Sequence, residues 1–199
     1  YYCCSAELNQ VCFILQKALS GLPREGGYTL PGCTVISAAG APRRVEETMD
    51  VAQGKLTMGF RTGGITAASS EYPALMLCNA LFGGTTTSKL FLNVREKLSL
   101  CYYASSTVHK YKGLMVVSSG VEFANVGKAE AEIKAQLEAC RAGQFEKWEV
   151  EGARRYTISS LLTLLDSQGR QEDYWLGQAV AGLSEGPEDL ARALEQVTV

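Results

Sequence analysis

Leu81-Phe82-Gly83-Gly84-Thr85-Thr86-Thr87-Ser88-Lys89-Leu90-Phe91 runs directly into Leu92-Asn93-Val94-Arg95-Glu96-Lys97-Leu98-Ser99-Leu100-Cys101-Tyr102-Tyr103-Ala104-Ser105-Ser106. The apolar run before it, residues 71–82, predicts a buried helix that Gly83 and Gly84 end, since glycine closes helices readily. Thr87 or Ser88 can then cap a second helix, because a side-chain hydroxyl satisfies a backbone N–H left over at a helix start. Leu90, Phe91, Val94 and Leu98 form the inner face of that helix at helical spacing. From Tyr102 the pattern changes to strand-like residues over 102–110, and a turn at Tyr111-Lys112-Gly113 leads into a second strand over 113–120. Two strands joined by so short a turn must run antiparallel.

Outward from this block the chain reads simply. Residues 1–4 form a short apolar, strand-like opening, and 7–20 follow a helical pattern with Val11, Ile14, Leu15, Ala18 and Leu19 as its apolar stripe. A Pro- and Gly-rich connection over 23–42 holds one short expected strand at 34–37. Residues 53–61 alternate, with Leu56, Met58 and Phe60 facing one way and Lys55, Thr57 and Arg61 the other, which describes a half-buried strand. The last third is expected to be helical over 125–142, 145–165, 168–181 and 187–197. Helices grouped against one antiparallel sheet make an α+β, two-layer sandwich with the helices on one face.

Composition bounds the function. A chain of 199 residues, 46% hydrophobic and 20% charged, suits one globular domain. A net charge of -2 with dispersed cations argues against nucleic-acid binding, which needs clustered lysines and arginines. No run of apolar residues is long enough for a membrane-spanning helix. The seven cysteines are odd in number and contain no Cys-x-x-Cys pair, so they predict free thiols in a reducing, cytoplasmic setting. The chain opens at Tyr1-Tyr2-Cys3-Cys4 without an initiator Met and reads as a piece of something longer.

Two sharp readings compete with ordinary ones. The run Gly83 to Lys89 mixes glycines, hydroxyls and a lysine before a helix, as a phosphate loop does. A P-loop, however, needs a glycine directly before Lys-Ser/Thr, and here Ser88 precedes Lys89 and Leu90 follows it. A helix–loop–helix joint without an anion accounts for the same residues. Taken alone, Arg95 is a solvated helix residue, Glu96 and Lys97 a solvated helix end, and Tyr102 an ordinary strand aromatic.

The run from Phe82 to Ser106 nevertheless resembles the signature of the C-terminal, zinc-free domain of pitrilysin-type peptidases, the insulinase and mitochondrial-processing-peptidase family. The shared elements are Gly83 and Gly84, then Ser88, Lys89, Leu90 and Phe91, then Arg95, Glu96 and Lys97, with Tyr102 seven positions after Arg95. Residues 50–60 resemble the strand that precedes the helix pair, and residues 1–7 its strand-then-helix entry, although Ser5-Ala6 stands where the family carries Gly-Asp. The wording Cys101-Tyr102-Tyr103-Ala104 is similar to that of the bacterial YmfF-like branch.

The resemblance implies that residues 1–199 are one half-domain of such a peptidase. It implies that catalytic zinc sits on an inverted His-x-x-Glu-His motif in a different domain or subunit. This chain has one histidine, His109, and a catalytic zinc takes three protein ligands, so no metal site and no catalytic residue are expected here. Arg95 and Tyr102 are the implied substrate-binding pair, holding peptide carbonyls near the scissile bond. Cys101 is expected on the opposite strand face from Tyr102 and is not read as a nucleophile. The implied function is a non-catalytic, substrate-positioning half of a zinc endopeptidase, with a zinc-bearing domain or subunit and a peptide as partners. The alternatives are a structural or peptide-binding module and, more remotely, nucleotide binding at Gly83 to Lys89. Intact Arg95 and Tyr102 favour the first.

Overall fold

The computed structural model describes residues 2–23, 26 and 34–198. Its sheet contains β1 (Gly54–Arg61), β2 (Cys101–His109) and β3 (Leu114–Val121), in the order β1-β3-β2 with both pairings antiparallel. The β2–β3 hairpin is the one the turn residues predict, and β1 joins its far side, Phe60 opposite Met115.

The alternation in each strand decides which face is covered. Leu56, Met58 and Phe60 of β1, Ala104 and Val108 of β2, and Met115 and Val117 of β3 pack into one apolar core. Helical segments supply the other half of that core: Phe82, Leu90 and Val94, with Ile133 and Cys140 of the helix Val126–Arg141. Burying a large aliphatic or aromatic side chain contributes roughly 1.5–3 kcal/mol, which fixes the strand faces. A second apolar cluster lies among the helices. Leu77, Ala80 and Leu81 meet Ala153 and Leu161 of the helix Lys147–Leu162 and Ala191 and Leu194 of the helix Pro187–Glu195. We number the α-helices in chain order: α1 (Leu8–Leu19), α2 (Tyr72–Asn79), α3 (Val126–Arg141), α4 (Lys147–Leu162), α5 (Gln168–Ala181) and α6 (Pro187–Glu195). The α+β class and the antiparallel sheet are as the sequence predicts.

Several expectations are corrected. Residues 2–4 and 34–37 form no strand; neither segment takes part in the sheet ladder, so strand-like composition has nothing to pair with. Tyr1 and Cys33 lie outside the described residues. α1 forms where expected, but none of its residues is buried, and Phe13, Ile14, Leu15 and Leu19 stand exposed. Gly83 and Gly84 end the helical run as expected, with Thr85 already extended, but they do so as a π-helical turn, Ala80–Gly84, that continues α2. The following helix, Leu90–Lys97, is also π-wound, with the Leu98 N–H donating to the Asn93 carbonyl at 3.2 Å. Leu98 therefore ends up exposed at the helix end rather than on its inner face, where the chain turns at Ser99 with φ 49°. The expected helix over 145–165 ends at Leu162 and passes into a 3₁₀ turn, Thr163–Asp166.

Candidate functional site

The π-helical turn and the helix Leu90–Lys97 cross β2 at close range, and a glycine allows it. A Cβ on Gly83 would stand 2.7 Å from the Ser106 Oγ and 2.8 Å from its backbone nitrogen. Such distances are sterically excluded, so only glycine lets the helix backbone lie on the strand. Ser106 completes the joint by donating through its hydroxyl to the Asn79 side-chain oxygen at 2.8 Å.

Lys89 and Ser88, the two residues that suggested a phosphate loop, are both occupied internally. Ser88 is buried, with its Oγ accepting from the Phe91 N–H at 3.4 Å. The Lys89 ammonium lies 3.0 Å from the Glu149 carboxylate, with side chains only 15% and 7% exposed. Glu149 also accepts from the Glu146 backbone N–H at 2.7 Å, closing the first turn of α4. The signature lysine thus clamps α4 against the helix pair. Removing either partner would strand a buried charge.

Arg95 and Tyr102 come together where β2 begins. Cys101 pairs with Val121 and Tyr103 with Gly120, so Tyr102 is an inserted residue, a β-bulge. Its effect is to re-aim the side chains. Cys101 packs toward the apolar core, while Tyr102 and Tyr103 both turn outward, Tyr102 being 62% exposed. Cys101 and Tyr102 do face opposite ways, through the bulge as much as through strand alternation. The Tyr102 carbonyl accepts from Arg95 Nε at 2.9 Å. Arg95 Nη1 lies 3.1 Å from Glu96, and the guanidinium stacks on the Phe91 ring at 4.6 Å. Glu96 is therefore an ion-pair partner and not merely a solvated helix end. Arg95 Nη2 makes no hydrogen bond to any described residue.

The pair borders an open cleft of about 400 Å³. Its lining combines Gly83, Gly84, Thr85 and Thr86 with Phe91, Arg95, Tyr102, Tyr103, Ala104, Ser105 and, from α4, Tyr156. The family resemblance pointed to Arg95 and Tyr102; the structure sets Tyr156, Tyr103 and the hydroxyl residues Thr85, Thr86 and Ser105 beside them, none of which the sequence reading named. Tyr156 carries no local signal, because only the docking of α4 brings it there. Tyr103 lies flat on the open sheet face, over Gly120, where a Cβ would approach its ring to 2.6 Å. Lys55 sits 5.2 Å from the same ring.

His109 lies exposed at the far end of β2, and no group of three or more metal-binding side chains occurs among the described residues. A single imidazole does not fit the family's zinc, so the residues present build no such site. The described cysteines, 3, 4, 12, 78, 101 and 140, are all free, but only Cys140 is buried, so they are not a set of core thiols. Burial pushes the Cys140 thiol up to about 12, leaving it unreactive. No helix among the described residues is long and apolar enough to cross a membrane.

Comparison with known proteins shows the family and the fold. The chain is 39% identical over 157 residues to YmfF of Bacillus subtilis (strain 168), described as a probable inactive metalloprotease, covering 79% of this chain and 37% of that protein. A conserved protein from Enterococcus faecalis V583 superposes with a TM-score of 0.67 at 33% identity, over 74% of this chain and 35% of that one. The peptidase M16 inactive domain of Pseudomonas fluorescens shares the fold, with a TM-score of 0.64 at 19% identity over 74% of this chain and 35% of that one. The chain spans little more than a third of the length of these relatives. The profile of the peptidase M16 inactive domain matches residues 5–156, and the chain belongs to that family.

Proposed function

We propose that residues 1–199 form one substrate-positioning half of a zinc-dependent endopeptidase, whose zinc is held by another domain or subunit. Membership of the inactive-domain family supports the non-catalytic part of that reading. The observation that supports the rest is the bulge at Tyr102, which turns this residue outward so that it lines an open cleft together with Arg95.

The two groups divide the work by chemistry. Arg95 Nη2 can donate to a peptide carbonyl, while its Nε and Nη1 stay on Tyr102 and Glu96 and hold the guanidinium in place. The Tyr102 hydroxyl offers one directional donor to the same peptide. Where the carbonyl gains negative charge, preorganised donors stabilise it more than they stabilise the ground state. The zinc of a peptidase partner would supply the Lewis-acid chemistry, while Arg95 and Tyr102 of this chain would hold the peptide. The partner is thus a zinc-bearing peptidase domain or subunit, the ligand a peptide, and the free thiols suit a cytoplasmic setting.

The scaffold reading retains one supporting observation, since Arg95 also braces the bulge through Tyr102's carbonyl. Tyr102→Phe separates the two readings because it removes only the hydroxyl. With the zinc-bearing partner present, Tyr102→Phe and Arg95→Ala should each lower peptide hydrolysis by about 100- to 1000-fold. For Tyr102→Phe the thermal melt should stay unchanged. Unaltered kcat and KM in Tyr102→Phe would refute the positioning role and leave the scaffold.

A further inference from the structure

At the end of β2 far from the Arg95–Tyr102 pair, the chain turns on a lysine without a counter-ion. Lys110 follows the last residue of β2 and is half-buried, and its carbonyl accepts from the Ala67 N–H at 2.8 Å. Its Nζ lies 4.9 Å from the centre of the Tyr111 ring and 5.0 Å from that of Tyr174 in α5. Both lie within the roughly 6 Å over which a cation and an aromatic face attract. Tyr174 is itself buried, and its hydroxyl donates to the Glu185 carbonyl at 2.8 Å. Gly177 of α5 lets the helix approach the turn, since a Cβ there would collide with the Tyr111 hydroxyl oxygen. The turn thus meets α5 through one ammonium between two rings and one contact that only glycine allows.

Charge in this slot is poorly compensated. The titratable groups around Lys110 are the phenols of Tyr111 and Tyr174, with that of Tyr72 of α2 near both. Burial pushes all three up, Tyr174 to about 12, so at neutral pH none supplies a negative charge. Asp189, Glu185 and Glu188 lie toward the Tyr174 phenol, yet no carboxylate among the described residues pairs with Lys110. Lys89, the other half-buried lysine, has Glu149 at 3.0 Å. Ring faces return only part of the hydration that a buried ammonium loses. Burial therefore lowers the Lys110 pKa and leaves more of it as free amine than a solvated lysine would be.

We propose that Lys110 is an acylation site for acyl phosphates, and that its neutralisation loosens α5 from the turn. The neutral Nζ attacks the acyl carbon, and a C–N bond forms as the C–O bond to phosphate breaks. Phosphate leaves with the electron pair, and the surplus proton of the amine passes to water. The resulting amide carries no charge, so the cation–π attraction to both rings is lost. Neither part depends on the peptide-positioning reading.

The 199-residue chain, treated with acetyl phosphate at neutral pH and mapped by peptide mass spectrometry, provides the test. Lys112, exposed in the same turn, is the internal reference. Lys110 should be acetylated several-fold faster than Lys112, and its lead should shrink above about pH 10.4, where solvated lysines also lose their protons. A Lys110 rate equal to or below that of Lys112 at neutral pH overturns the acylation site. Lys110→Gln imitates the neutral product and should speed amide hydrogen exchange in α5 several-fold while leaving α3 unchanged. Lys110→Arg keeps a cation between the rings and should keep the slow exchange. Unchanged exchange in α5 of Lys110→Gln, or an equal rise in α3, overturns the release of α5.

Discussion

The helices α1 and Leu90–Lys97 carry similar promises in sequence and meet opposite fates. Each sets apolar residues at helical spacing beside polar ones. In the second, Leu90 and Val94 are fully buried against the sheet, and Arg95 on the flank reaches the cleft. In α1, Ile14 is 63% exposed, and no residue of the helix is buried. An amphipathic pattern states which face would gain from burial, not whether a surface exists to bury it. Leu90–Lys97 has β2 beneath it, reached through the glycine joint at Gly83, and a clamp beside it from Lys89 to Glu149. Among the described residues, α1 has neither.

That contrast can be broken from either end. The largest effect is expected at the clamp. Glu149→Ala leaves the Lys89 charge buried without a partner and should destabilise by about 3–5 kcal/mol, seen in urea denaturation. A loss under about 1 kcal/mol would mean that apolar packing alone holds α4 in place. Next comes the floor of the same helix. Leu90→Ala empties a site with 0% exposure and should cost about 2–5 kcal/mol, lowering the thermal midpoint by several degrees. Ile14→Ala in α1 is the matching substitution on the bare helix, and it should shift stability by less than about 0.5 kcal/mol. A shift comparable to that of Leu90→Ala would show that α1's stripe is covered in solution, and the contrast between the two helices would collapse.

Much of the architecture was legible in the chain itself. Alternation placed β1 with Leu56, Met58 and Phe60 inward, and the turn before Leu114 fixed the hairpin, because strand period and turn chemistry are local properties. The strand-like segments 2–4 and 34–37 misled for the converse reason, since a strand exists only when a neighbour takes up its hydrogen bonds. The helix end at Gly83 and Gly84 was legible, since Thr85 is already extended. What the local pattern did not record is that Gly83 also serves a close helix–strand approach.

The candidate site divides along the same line. Arg95 and Tyr102 were singled out only through the family resemblance, and a single histidine is too few for a zinc site of the family's kind. Tertiary structure decided what those residues can do. A bulge in the β2–β3 register turns Tyr102 outward, and the ion pair with Glu149 removes Lys89 from any ligand-binding role. The docking of α4 brings Tyr156 to a cleft whose other walls lie far away in sequence. Residue chemistry is written in the chain, but register, ion pairing and enclosure depend on long-range packing, which no local pattern records.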